Sequence, residues 1–160
     1  MTMFPEEVIQ TYCLEHSIAC EMVENSVLLV SLKGEQKLNI TVAIGIGTYA
    51  ITVNVFVMRK PDENEDLINK ILLEQNLKIF GLGYAINHLG DIYLVGKLPL
   101  SCSYEDIDRI FGAVIRFADD AFNRLVELGF TSAIRREWAW RVSRGESLDN
   151  LKAFSHLMQS

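Results

Sequence analysis

Three cysteines, three prolines and no long apolar run set the first limits on this 160-residue chain. Cys13, Cys20 and Cys102 are odd in number and show no CxxC spacing, so neither a disulfide framework nor a zinc site is indicated. They read as thiols of a reducing cytoplasm. Positive charge is scarce too: 15 Lys and Arg against 21 Asp and Glu give a formal net charge of -6, which opposes nucleic acid or an anionic membrane as partner. Glu6 and Glu7 stand where a signal peptide carries basic residues, and no apolar h-region follows. No run approaches the roughly 20 apolar residues that span a bilayer, so a soluble, cytoplasmic chain is expected. Phosphate loops are missing as well. Gly45-Ile46-Gly47 and Gly81-Leu82-Gly83 complete neither GxGxxG nor the P-loop pattern, and read as a turn and a closely packed strand.

What is present is an ordinary globular composition, 49% hydrophobic and 22% charged, of one-domain length. Its organising stretch is residues 81–98, two apolar runs hinged on Asn87-His88-Leu89-Gly90-Asp91, the pattern of a β-hairpin. Leu82, Tyr84 and Ile86 put bulk on one face of the first run, and Gly83 and Ala85 leave the other open to the close approach of a helix. Ahead of it, Pro5 and Glu6-Glu7 open a helix to about Ser17 with Val8, Ile9, Tyr12 and Cys13 inward. Period-2 alternation predicts strands over 27–33, 37–46 and 49–58, an antiparallel meander. A helix capped by Asp62 and Glu65 follows to about Gln75. After the hairpin, Ser103 caps one long helix, Tyr104 to Leu128, stopped at Gly129. A helix over 131–144 stopped by Gly145 and a short helix capped by Ser147 complete the chain. The expected architecture is α+β, a five-stranded antiparallel sheet made of the three-strand meander plus the hairpin, with helices packed on one face. Residues 1–145 form the domain and 146–160 a helical tail.

The strings FVMRKPDEN, HLGDIYLVGKLPL and FNRLVELGFTSAIRREW together resemble the bacterial YbjN-type domain family, whose members are labelled sensory transduction regulators, in its actinobacterial branch. The resemblance spans roughly Phe4 to Arg144. It implies a fold similar to the small dimeric chaperones of type III secretion, which bind proteins and catalyse nothing. The matching residues, Arg59, Pro61, Asp62, Asn64, Gly90, Asp91, Gly96, Pro99, Arg135, Arg136, Glu137 and Trp138, mark the family without defining a site.

Candidate chemistry is thin. His88 and Asp91 share a turn but lack the third ligand that a catalytic metal wants. Asp119 and Asp120 point about 100° apart on a helix and cannot share a proton, so Asp120 between Arg116 and Arg124 reads as a solvated ion-pair ladder. Cys102 sits ahead of a helix and reads as a bystander thiol.

The most informative segment is Ala133 to Arg144, AIRREWAWRVSR. Ile134, Trp138 and Val142 make a packing stripe and Trp140 falls off it, so Arg135, Arg136, Trp138, Trp140, Arg141 and Arg144 are the candidate partner-binding residues. Packing on the chain's own acids and stacking of single-stranded nucleic acid are the competing readings of this segment. Phe56 and Met58 place apolar bulk opposite Val53, Val55 and Val57, which suggests a face that meets a second copy. The expectation is a non-enzymatic, homodimeric protein-binding module with a regulatory or chaperone-like role and no cofactor or metal. The alternative is a small-ligand binder or enzyme with a pocket near the 81–98 hairpin, anchored by His88 or Asp91.

Overall fold

The computed structural model describes residues 3–159. Helix α1 (Pro5–Glu15) opens at Pro5 as expected and buries Ile9, Tyr12 and Cys13. Six strands follow: β1 (Ala19–Glu24), β2 (Val27–Leu32), β3 (Ile40–Ile46), β4 (Ile51–Met58), β5 (Leu82–Ile86) and β6 (Ile92–Leu98). They form one antiparallel sheet in the order β1-β2-β3-β4-β6-β5. Helix α2 (Glu65–Asn76) lies between β4 and β5 in the chain. Helix α3 (Tyr104–Val114), a π-helical turn (Ile115–Asp119), helix α4 (Phe122–Arg144) and a 3-10 helix (Asp149–Met158) come after the sheet.

Alternation decides which face is buried. Val30, Val42, Val55 and Leu94 sit side by side across four strands and are all buried. Against them pack Ile9, Ile68, Phe111 and Leu125 from the four helices, which closes a single core. The tail belongs to the same body, because its 3-10 helix buries Phe154 in that core.

The sheet has six strands, not five. The additional strand, β1, pairs with β2 through the two-residue turn Asn25-Ser26, with Ser26 left-handed at φ 71°. The residues of β1 are exposed or half-buried on both faces, so they carry no alternation to read. The expected strands over 37–46 and 49–58 are shorter at their starts, and Leu38 and Tyr49 stand exposed in loops. A β-bulge between Phe56 and Met58 turns Met58 inward beside Val57, so only Phe56 stays on the outer face.

The helical half departs from expectation at the π-helical turn, at Gly129 and at the start of α2. Ser103 does cap α3, its hydroxyl accepting from Asp106 N at 3.2 Å while Asp106 answers Ser103 N at 2.9 Å. The helix is not continuous to Leu128, because the π-helical turn interrupts it at Ile115. Gly129 does not end a helix either: α4 runs through to Arg144, kinked at Phe130 (φ -137°, ψ 25°). Helix α2 starts at Glu65 with Asn64, in the left-handed region, ahead of it, so Asp62 is not its cap. The helices pack on the bulky face of β5, where Tyr84 donates its hydroxyl to Phe117 O, and the end of α2 also comes close to Gly83, with Asn76 Oδ1 3.6 Å from where its Cβ would stand.

Candidate functional site

The loop of residues 34–37 is fastened to the π-helical turn by one carboxylate. Asp119, 2% exposed, accepts from Glu35 N at 2.8 Å, Gln36 N at 2.9 Å and Lys37 N at 2.6 Å. Three converging amides satisfy a buried charge without a cation. Gly34 makes room for it, since a Cβ there would overlap the carboxylate and sit 2.6 Å from Lys37 O. Gln36 returns the contact by accepting from Asn123 N at 3.1 Å in the first turn of α4. Lys37 donates to Phe56 O at 2.7 Å and Val57 O at 3.0 Å, the carbonyls of the bulge, and burial holds its ammonium below the usual lysine range.

The three strings that carry the family resemblance meet in space. Asp62 N and Glu63 N both donate to Gly129 O, at 2.9 and 3.2 Å, and Asn64 Nδ2 donates to Leu128 O at 2.8 Å. Glu63 accepts from Ser132 N at 2.7 Å and so caps the half of α4 beyond the kink. Arg59 lies 4.1 Å from the ring centroid of Phe130 and pairs with Asp62 at 3.1 Å. Asp91 accepts from Lys60 N at 2.9 Å, which joins the hairpin turn to the same loop. These residues are a structural junction. The carboxylate of Asp91 is thereby occupied, while His88 lines a depression of about 350 Å³ on the open sheet face with Asn54, Tyr93 and Val95.

The structure separates the six arginine and tryptophan candidates. Arg141 binds Glu137 at 2.6 Å and Ser147 O at 3.0 Å, and Arg135 donates to Leu157 O at 3.2 Å, so both hold the tail against α4. Trp138 is half-buried, and Val142, expected in the packing stripe, is 57% exposed. Trp140 is 50% exposed, lies under the guanidinium of Arg144 at 4.9 Å and shares a shallow depression with Arg136, Ala133 and Glu137. Arg136, Trp140 and Arg144 therefore form one outward surface.

Sequence reasoning underrated the outer face of the sheet. Leu29, Ala43, Asn54 and Val95 form one row across it, and Ser31, Thr41, Phe56 and Tyr93 the neighbouring row. Phe56, 44% exposed, meets Tyr93 edge to face at 5.5 Å. Among the described residues no helix lies over these rows. The alternation of β2 with β3 held the signal, since Leu29 and Ala43 are apolar on the side opposite the core.

Titratable groups elsewhere are tuned toward inertness. Burial pushes the Cys13 thiol up to about 12 and raises Cys20 and Cys102 as well, which agrees with a bystander Cys102. Among the described residues no group of three His, Cys, Asp or Glu is placed to hold a metal, and no helix is long and apolar enough to cross a membrane.

Fold and surface define an α+β protein built on an antiparallel sheet with one helix-covered face and one open face. By sequence the chain belongs to a family of uncharacterised mycobacterial proteins. It is 48% identical over 131 residues to a protein of Mycobacterium tuberculosis and to one of Mycobacterium bovis, an alignment covering 81% of this chain and 72% of each relative. A Mycobacterium leprae protein is 46% identical over 132 residues, 82% of this chain and 72% of the relative. No family model matches the chain.

Proposed function

We propose that this chain is a non-enzymatic protein-binding module of the YbjN type, acting as a cytoplasmic homodimer in a regulatory or chaperone-like role. The open sheet face carries the proposal. Its central rows hold Leu29, Ala43, Phe56, Tyr93 and Val95 with uncharged polar neighbours, while Glu21 and Lys97 lie toward the margins. Two copies of a chain with net charge -6 repel least where they meet on a patch with few charges, and this face supplies one to a second copy, with Lys37 the cation beside Phe56, 5.2 Å from its ring centroid. The outward surface of Arg136, Trp140 and Arg144 would then remain free for a different protein, since Arg and Trp are the side chains richest in interface energy.

Sedimentation of the full chain tests the dimer: a particle of twice 18.1 kDa is expected at about 100 μM. Phe56→Asp should reduce it to a single chain with unchanged circular dichroism. A single chain for the unsubstituted protein at that concentration overturns the reading. It would favour the second one, a small ligand in the depression beside His88.

A further inference from the structure

Between α2 and the π-helical turn lies a cleft of about 290 Å³. Ile71, Phe117 and Leu125 contribute apolar wall, and Lys78, Arg116 and Arg124 bring three cations to it. Among the described residues none of these cations lies within 4.0 Å of a carboxylate, although the chain has 21 acids. On a regular helix Asp120 would pair with both arginines at i,i+4. Neither pair forms, although Asp120 N still donates to Arg116 O at 3.2 Å where the π-helical turn ends, and α4 starts at Phe122. The result is a concave site where three cations face one carboxylate on an acidic protein.

We infer that this cleft binds a small dianion with an apolar body, a phosphate monoester or a dicarboxylate. Three cations against the single carboxylate of Asp120 leave a surplus of two positive charges on the wall, which a dianion neutralises. Guanidinium forks suit the planar or tetrahedral oxygens of either group. The half-buried Ile71 and the rim of Phe117 receive the apolar part, with Leu125 buried behind them, and the half-buried Gln75 adds an uncharged polar contact. Asp120 opposes any anion in the cleft, so it lowers the affinity that the three cations supply. The site stands apart from the open sheet face and does not depend on dimerisation.

The test is calorimetric titration of the full chain with phenyl phosphate, phthalate and phenol, alongside amide shift mapping. One saturable site for phenyl phosphate or phthalate is expected, with shifts centred on Gln75, Phe117 and Asp120. The tighter of the two anions tells a phosphate ligand from a dicarboxylate. The exposed pair Arg116→Gln with Arg124→Gln should weaken binding by about tenfold or more, and Asp120→Asn should tighten it about threefold. Lys152→Gln, on the tail, should change nothing. No saturable binding of either anion, equal binding of phenol, or unchanged affinity in the double variant overturns the inference. Should the double variant fail to fold, shifts that map away from the cleft in the unsubstituted protein overturn it equally.

Discussion

Asp119 and Asp120 are adjacent and chemically identical, yet the fold uses them in opposite ways. Asp119 is buried and spends both oxygens on three amides, whereas Asp120 is exposed beside the cationic cleft. Replacing Asp119 with Asn keeps the shape but turns an NH2 group toward those donors and removes the charge that strengthens the bonds. Asp119→Asn should destabilise the fold by about 2 kcal/mol, and Asp120→Asn by under about 0.5 kcal/mol. Urea midpoints read this directly, and equal midpoints for the two variants would refute it. Gly34→Ala should resemble Asp119→Asn, since its Cβ would displace the same carboxylate.

At the level of elements, two helical glycines make opposite demands. Gly129 stands at the kink of α4, where a Cβ would come within 2.9 Å of Pro61 Cβ and 3.2 Å of Ile68 Cδ1. Gly112, in α3, has nothing within 4 Å of its Cβ position. Alanine gains about 1 kcal/mol over glycine in a helix interior, so Gly112→Ala should stabilise by roughly 0.5–1 kcal/mol. At Gly129 overpacking against a rigid proline, about 1–3 kcal/mol, exceeds that gain, and Gly129→Ala should lower the denaturation midpoint. The same positions show what the sequence makes legible. Gly129 correctly marked a break, but whether a break ends a helix or kinks it depends on Asp62, Glu63 and Asn64, which lie over 60 residues away. Core faces of β2, β3 and β4 were readable from alternation; β1 was not, because an edge strand exposed on both faces has nothing to alternate. The cationic cleft was hidden because spacing alone paired Arg116, Asp120 and Arg124, whereas the cleft brings Lys78 from beyond α2 to the same wall and neither arginine pairs with Asp120.

Over the whole molecule, the core depends on acids that must keep their protons. Tyr84 is pushed up to about 12 by burial and then by Asp120, while its hydroxyl donates to Phe117 O and ties β5 to the π-helical turn. Cys13 is likewise pushed up to about 12 by burial, and Tyr12 is raised by burial and by its 2.7 Å bond to Asp108, which joins α1 to α3. In the unfolded chain these groups release protons near their ordinary values of 9 and 10. Above that range the unfolded state binds fewer protons than the folded one, so unfolding becomes more favourable as pH rises. Their contribution is complete below about pH 9 and is lost progressively toward pH 12. Urea midpoints at pH 7, 9 and 10.5 should therefore hold steady over the first step and fall over the second. Tyr84→Phe removes one of these protons together with the bond to Phe117 O, so it should start about 1 kcal/mol lower and then decline less steeply. An equally steep decline in Tyr84→Phe would show that Tyr84 does not couple the sheet to the helices through its proton.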